Sequence, residues 1–277
     1  MNPAGEASEH DQARWEALLA RPEDLVPLDE ACLLVSARLQ VGAAISVGDQ
    51  QRRLDALAEQ VPEASTDGVV GHLFRSGRFR GNTDDYTDPA NSYLDRVLDR
   101  RLGIPISLAI LAVEVGRRVG VALHGVGLPG HFLLGVRSEP DRFIDVFSGG
   151  VELDAEACRH LYEAGFGAGP PFDPAWLEPV GTFAVLSRVL ANLKNSFTAR
   201  GGLRPLAEAL TLRSAVPGVS ASERLELGDV LTALGRFVEA AGCYEQVADL
   251  VESSGDDPDG RASALRSRAT AARARLN

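Results

Sequence analysis

The sequence predicts an α+β protein, mainly helical, with a small antiparallel β-sheet. Three observations carry that expectation. Apolar residues recur at helical spacing through 11–20, 28–41, 49–61 and 66–76. The segment 106–118 (ISLAILAVEVGRR) is apolar almost all round, the mark of a helix buried on most of its faces. Directly after it come three short β-like runs, 121–126, 131–136 and 142–147, separated by Gly-Leu-Pro-Gly and by Ser138-Glu-Pro-Asp141.

Taken in order, the first four helical stretches form an N-terminal helical section, with Asp29 and Asp49 close to two of the helix starts. A polar loop (RGNTDDYTD) follows at 80–88, and Asp88-Pro89 reads as N-cap plus first-turn proline of a helix reaching Arg101. Asp84, Asp85 and Asp88 lack the spacing of a calcium loop, so capping is their expected work and no metal is expected. Gly103 interrupts the chain, and Pro105 suits a first helical turn because its missing N–H would have lacked a partner there anyway. The core helix therefore starts near Ile104 to Ile106 and ends on Arg117 and Arg118, whose charges favour a helix C-terminus.

Residues 154–164 read as a further helix, and the Gly/Pro-rich stretch 165–174 as a linker. Everything beyond is helical. Gly201 and Gly235 lie 34 residues apart, with Leu193/Leu227, Ala199/Ala233, Leu203/Phe237, Ala207/Ala241 and Leu210/Tyr244 in the same register, which is the tetratricopeptide period. Residues 258–275, rich in Arg and Ala, supply a terminal helix. The expected organisation is a domain over 1–164, a linker at 165–174 and a helical repeat segment over 175–277. Two repeats leave an apolar end uncovered, so that segment is expected to dock on the core domain.

Composition excludes several classes. With 45% hydrophobic residues the chain can bury a sizeable core. Its net charge of −11 argues against general binding to nucleic acid or to an anionic membrane. There is no run of about 18 apolar residues, and the first twelve residues hold no apolar segment, so the cytoplasm is the expected compartment. Cys32, Cys158 and Cys243 are odd in number and in no CxxC arrangement, so they read as core residues, without disulfide or zinc. His124 reads as solvent-facing, and His72 and His160 have no recognisable partner.

The chemistry centres on His131. A hairpin centred near Glu139 sets Asp145 opposite Leu133, and the period-two rule puts His131 on the same face as Leu133. His131 and Asp145 then become diagonal neighbours, whereas a one-residue slip would separate them onto opposite faces. An imidazole held by a carboxylate is the base-and-orienter half of a nucleophilic triad, whose third member commonly sits at a helix N-terminus.

The run Ala109-Ile-Leu-Ala-Val-Glu-Val-Gly-Arg-Arg-Val-Gly120, a strand, then Gly130-His131-Phe and Phe143-Ile-Asp145 resembles the transglutaminase-like, papain-related core. A bacterial subgroup, the invasion-regulator-type transglutaminase-like/tetratricopeptide proteins, is more similar still. The residues that carry this are Phe79-Arg-Gly-Asn82, Tyr86, Asp88-Pro-Ala-Asn91-Ser-Tyr-Leu, Val97-Leu-Asp-Arg-Arg, Gly103-Ile-Pro-Ile and Gly127-Leu-Pro-Gly-His131-Phe. The resemblance implies His131 and Asp145 as the retained catalytic pair and puts the nucleophilic cysteine position at Pro105, a gap it shares with that subgroup. No cofactor is implied.

Asn91 reads either as a cleft residue or as a brace within the first helical turn. Ser107 lies two residues past the nucleophile position, about 200° round the helix, and so points elsewhere. The expected function is non-catalytic binding of a protein or peptide partner. Two alternatives stand beside it: an amide hydrolase or acyl transferase using His131, Asp145 and either Ser107 or an activated water, and an adaptor acting through its repeat segment alone.

Overall fold

The computed structural model describes residues 12–40, 42–166, 169–255, 257 and 259–275. The chain divides into two compact units, Met1–Val189 and Leu190–Asn277. No described helix is long and apolar enough to cross a membrane.

The first unit opens with α1 (12–19), α2 (Leu28–Leu39), α3 (Val47–Ala58) and α4 (Thr66–Val70), the last continuing into a π turn, Gly71–Arg75. A two-residue strand β1 (Arg80–Gly81) precedes α5 (Leu94–Arg100), and β2 (Leu102–Gly103) leads into α6 (Pro105–Val119). Then follow β3 (Leu123–Val126), β4 (Leu133–Val136), β5 (Glu139–Asp145), β6 (Val151–Leu153), α7 (Ala155–Phe166) and α8 (Thr182–Ala199), in which the division between the units falls.

Helix α6 is the hub. It packs against α2, α3, α4 and α5 and against β3 and β4, which is why its sequence is apolar almost all round. Every residue from Pro105 to Ala112 is buried, and each large aliphatic among them contributes about 1.5–3 kcal/mol of burial energy. Pro105 takes the first helical position, as its geometry predicts, and Gly120 ends the helix in the left-handed conformation at φ 81°.

The four-stranded sheet is antiparallel in the order β3-β4-β5-β6. Leu134 pairs with Ile144 and Gly135 with Phe143, so the register puts Asp145 opposite Leu133. The turn itself is not centred on Glu139. It is the two-residue turn Arg137-Ser138, closed by Val136 opposite Glu139, and a bulge beside Gly135/Val136 takes up the extra residues of β5. Pro140 falls in that irregular stretch, where a missing N–H costs no ladder bond.

Three features depart from the sequence reading. Strand β6 and the parallel pair β1-β2 were not expected, because strands of two or three residues carry no measurable periodicity. The helix expected from Asp88 to Arg101 is split: Asp88 caps only the 3-10 turn Pro89–Asn91, and α5 starts at Leu94. His124 is half-buried rather than solvent-facing. Its ring lies across the sheet over Gly135, where an added Cβ would come within 2.3 Å of Nε2. Its Nδ1 is buried with no partner among the described residues, and burial, helped by Arg137, pushes its pKa down. The same ring lines a cavity of about 160 Å³ together with Ala109, Ile110, Phe132 and Val185. His72 and His160 also have neighbours, Arg78 at 2.8 Å and Glu156 at 3.2 Å.

After α7 the chain runs back across the first unit. Phe172 and Trp176 pack on Tyr162, whose hydroxyl donates to the Pro170 carbonyl at 2.8 Å. Val180 N–H then bonds the Gly125 carbonyl at the edge of β3.

In the second unit, the last turns of α8 are followed by α9 (Leu203–Ala215), α10 (Ala221–Ala233), α11 (Phe237–Ser254) and α12 (Arg261–Ala274). Helix α10 packs against α9 and α11, and α11 against α12. Gly201 and Gly235 both adopt positive φ, 68° and 75°, two residues before a helix start. Gly228 lets α10 approach Tyr244 so closely that a Cβ there would fall 2.6 Å from the ring. Ala240 is fully buried, so Ala240→Phe is expected to destabilise the protein by about 1–3 kcal/mol through overpacking. The same change at exposed Glu239 is expected to cost well under about 1 kcal/mol. Urea denaturation of the two variants checks the contrast.

Candidate functional site

His131 follows the turn after β3, where its N–H donates to the Leu128 carbonyl at 3.0 Å. Asp145 closes β5. The hairpin register brings the two together, with His131 Nε2 and Asp145 Oδ2 3.1 Å apart. The separation is within ion-pair distance, but the ring N–H is not directed at the carboxylate, so the contact is not a well-aligned hydrogen bond.

The carboxylate is fixed by other donors. Its Oδ1 accepts from Phe147 N–H at 3.0 Å and Ser148 N–H at 3.1 Å, and its Oδ2 accepts from the Ser148 hydroxyl at 2.7 Å. Burial pushes the Asp145 pKa up, yet His131 and Ser148 together outweigh it and hold the group below the usual carboxylate range. A carboxyl group depressed in the folded state stabilises the fold above its unfolded pKa of about 3.9 and loses that contribution as pH falls through the folded value. Asp145→Asn is therefore expected to flatten the acid limb of the stability–pH curve below about pH 4, as followed by thermal unfolding. An unchanged acid limb would show that the carboxylate is not coupled to folding.

Aromatic rings extend the site. Phe147 meets the His131 ring edge-on at 6.4 Å and Tyr86 at 6.0 Å. It lies against Gly81, where a Cβ would come within 2.6 Å of its ring. The parallel pairing of β1 with β2 thus sets a bare glycine under an aromatic of the site.

Pro105 is buried at the first position of α6 and carries no nucleophile. Ser107, also buried, is committed elsewhere: its hydroxyl donates to the Asn91 carbonyl at 2.6 Å and accepts from Ile104 N–H at 3.0 Å. Asn91 is fully buried. Its side chain accepts from Asn82 Nδ2 at 2.9 Å and donates to the carbonyls of Asp85 at 2.8 Å and Tyr86 at 3.2 Å. Its geometry is that of a brace, holding the loop that presents Tyr86. In the same loop Asp88 pairs with Arg100 at 2.7 Å.

None of the three cysteines has a hydrogen bond or ion pair to His131 among the described residues, although the Asp145 charge reaches Cys158. Cys158 packs with Val126, Leu128, Leu133, Phe143 and Tyr162. Burial pushes its thiol up to about 11, and raises Cys32 and Cys243 as well, so none offers a thiolate near neutrality.

One residue had no signal in the sequence. Arg188, on α8, donates through Nη2 to the carbonyls of Leu128 at 2.9 Å and His131 at 2.5 Å, clamping the turn that carries the imidazole. Its guanidinium also lies 5.3 Å from the Phe132 ring centre. Arg188 is 57 positions along the chain from His131, and no spacing rule connects the two.

Residues 47–191 match the transglutaminase-like superfamily. A UPF0162 protein of Xylella fastidiosa is 35% identical over 194 residues, covering 66% of this chain and 69% of that protein. A UPF0162 protein of Pseudomonas aeruginosa is 31% identical over 205 residues, covering 71% and 72%. Mouse F-box only protein 21 is 34% identical over 136 residues, which are 46% of this chain and 21% of that protein. The helix-then-sheet core with its His131–Asp145 pair, and a match over more than half of the chain, agree: this protein belongs to the transglutaminase-like superfamily, among the UPF0162 proteins.

Proposed function

We propose that the protein is a non-catalytic transglutaminase-like protein that binds a protein or peptide partner at the surface around His131. The observation that carries this reading is the start of α6, where Pro105 offers no nucleophile and the Ser107 hydroxyl is spent on Asn91 and Ile104. Covalent catalysis needs a nucleophile within hydrogen-bond reach of the base, and removing one costs orders of magnitude in rate. The raised thiol pKa values of all three cysteines support the same reading. In it, the helices of the second unit act as a tetratricopeptide-type array that adds a second protein-binding surface.

One observation favours a hydrolase instead. The His131–Asp145 pair is retained at 3.1 Å with the imidazole 17% exposed, an arrangement able to deprotonate a water. The test compares the intact chain with His131→Ala for amine release from quenched peptide amides and for equilibrium binding to a peptide array. Binding without turnover by either protein is the expected result. Turnover that disappears in His131→Ala would sink the non-catalytic reading.

A further inference from the structure

The guanidinium of Arg188 carries more positive charge than its surroundings balance. Among the described residues no carboxylate pairs with it, and its partners are two neutral carbonyls and the Phe132 ring. Both acceptors are taken by Nη2. Nε and Nη1 have no acceptor among the described residues, yet neither is sealed from solvent. A cation held this way is costly unless something anionic arrives, because partial burial penalises the charged form.

Two further groups are linked to the same place by contacts. The Tyr86 ring is 49% exposed, and its hydroxyl has no partner among the described residues. The Arg188 charge acts on that phenol, opposing the upward push of burial on its pKa. Tyr86 is linked through Phe147 to His131, whose own charge, when protonated, is matched by Asp145. Arg188 is therefore the excess cation, with a neutral hydroxyl donor beside it.

We infer that Arg188 and Tyr86, next to His131, form a subsite for a carboxylate of the bound peptide. One oxygen takes Arg188 Nη1 and the other the Tyr86 hydroxyl. A single free cationic group with one neutral donor matches a singly charged, two-oxygen anion, whereas a dianionic phosphate calls for more positive charge. Because Arg188 also holds the carbonyls on either side of the Leu128–His131 turn, an occupied subsite fixes the imidazole's backbone as well. The inference rests on the peptide-binding reading above and names the ligand group at that same site.

The experiment follows the Tyr86 and His131 ring resonances of the intact chain by NMR while small probes are added. N-acetylglycine presents a peptide C-terminal carboxylate, N-acetylglutamate α-amide a side-chain carboxylate, and N-acetylglycinamide neither; inorganic phosphate is the fourth arm. Saturable shifts of both rings with one or both carboxylates, and none with the amide, are expected, and the stronger carboxylate identifies its source. Arg188→Gln, which keeps amide donors for the two carbonyls, is expected to weaken the carboxylate about tenfold or more. Tyr86→Phe, an exposed site that leaves the fold alone, should weaken it about threefold to tenfold. Equal shifts with the amide, tighter binding of phosphate, or undiminished affinity in both variants would overturn the subsite. Turnover of peptide amides by the same chain would instead overturn the non-catalytic reading and leave the carboxylate site standing as a product site.

Discussion

Replacing Arg118 by Leu is expected to destabilise the protein by about 3–5 kcal/mol, the cost of leaving buried charge without its partner. Asp29 on α2 and Glu114 on α6 are only 1% and 2% exposed. Arg118 reaches both, through Nη2 at 2.5 Å and Nη1 at 2.6 Å, while its Nε meets Asp55 of α3 at 2.7 Å. One guanidinium thus ties three helices. Burial lowers its pKa, but the three carboxylates outweigh that and hold it above its ordinary value. Arg117 also contacts Glu114 at 2.8 Å, but it is 59% exposed and solvent screens it. The check is the urea midpoint at constant m. Adding Asp29→Asn and Glu114→Gln to the Arg118→Leu protein should restore at least about 1 kcal/mol, since the orphaned charges are then gone. A loss below about 1 kcal/mol in Arg118→Leu would mean that the network is incidental.

The second large effect is expected at Asn91. Asn91→Leu removes the acceptor of the buried Asn82 side chain and the donor shared by the partly buried Asp85 and Tyr86 carbonyls. Each orphaned buried group costs about 1–3 kcal/mol, so a loss of about 2–4 kcal/mol is expected. The consequence extends beyond stability, because those bonds hold the loop carrying Tyr86 against Phe147. Faster hydrogen exchange should appear over 82–91 before the rest of the first unit opens. Stability loss with unaltered exchange in that loop would show that Asn91 serves the core and not the site.

Much of the core was legible because it is periodic. The all-round apolar pattern of Ile106 to Val115 could only be a central helix, and α6 is one. His131 and Asp145 were brought together on paper by a hairpin centred at Glu139, and they meet in the structure at the same register. The agreement has a different cause, since the turn is centred between Arg137 and Ser138, ahead of Glu139, and a bulge restores the count. A bulge leaves no mark in an alternation pattern when Pro140 already breaks it.

What the sequence by itself determined is the frame: a mainly helical α+β protein, the start of α6 at Pro105, and the absence of a nucleophile there. Local rules suffice for these, because a proline's fixed φ, helical spacing and period-two alternation act over a few residues. Only the tertiary structure decided how the remaining polar groups are used. Ser107 is spent on Asn91 across 16 residues, Arg118 on Asp29 across 89, and Arg188 on the His131 carbonyl across 57. Such partners are chosen by which buried donors and acceptors the packing of α6 and the sheet leaves facing each other. A buried polar group must find a partner wherever the fold provides one, and no spacing along the chain encodes that.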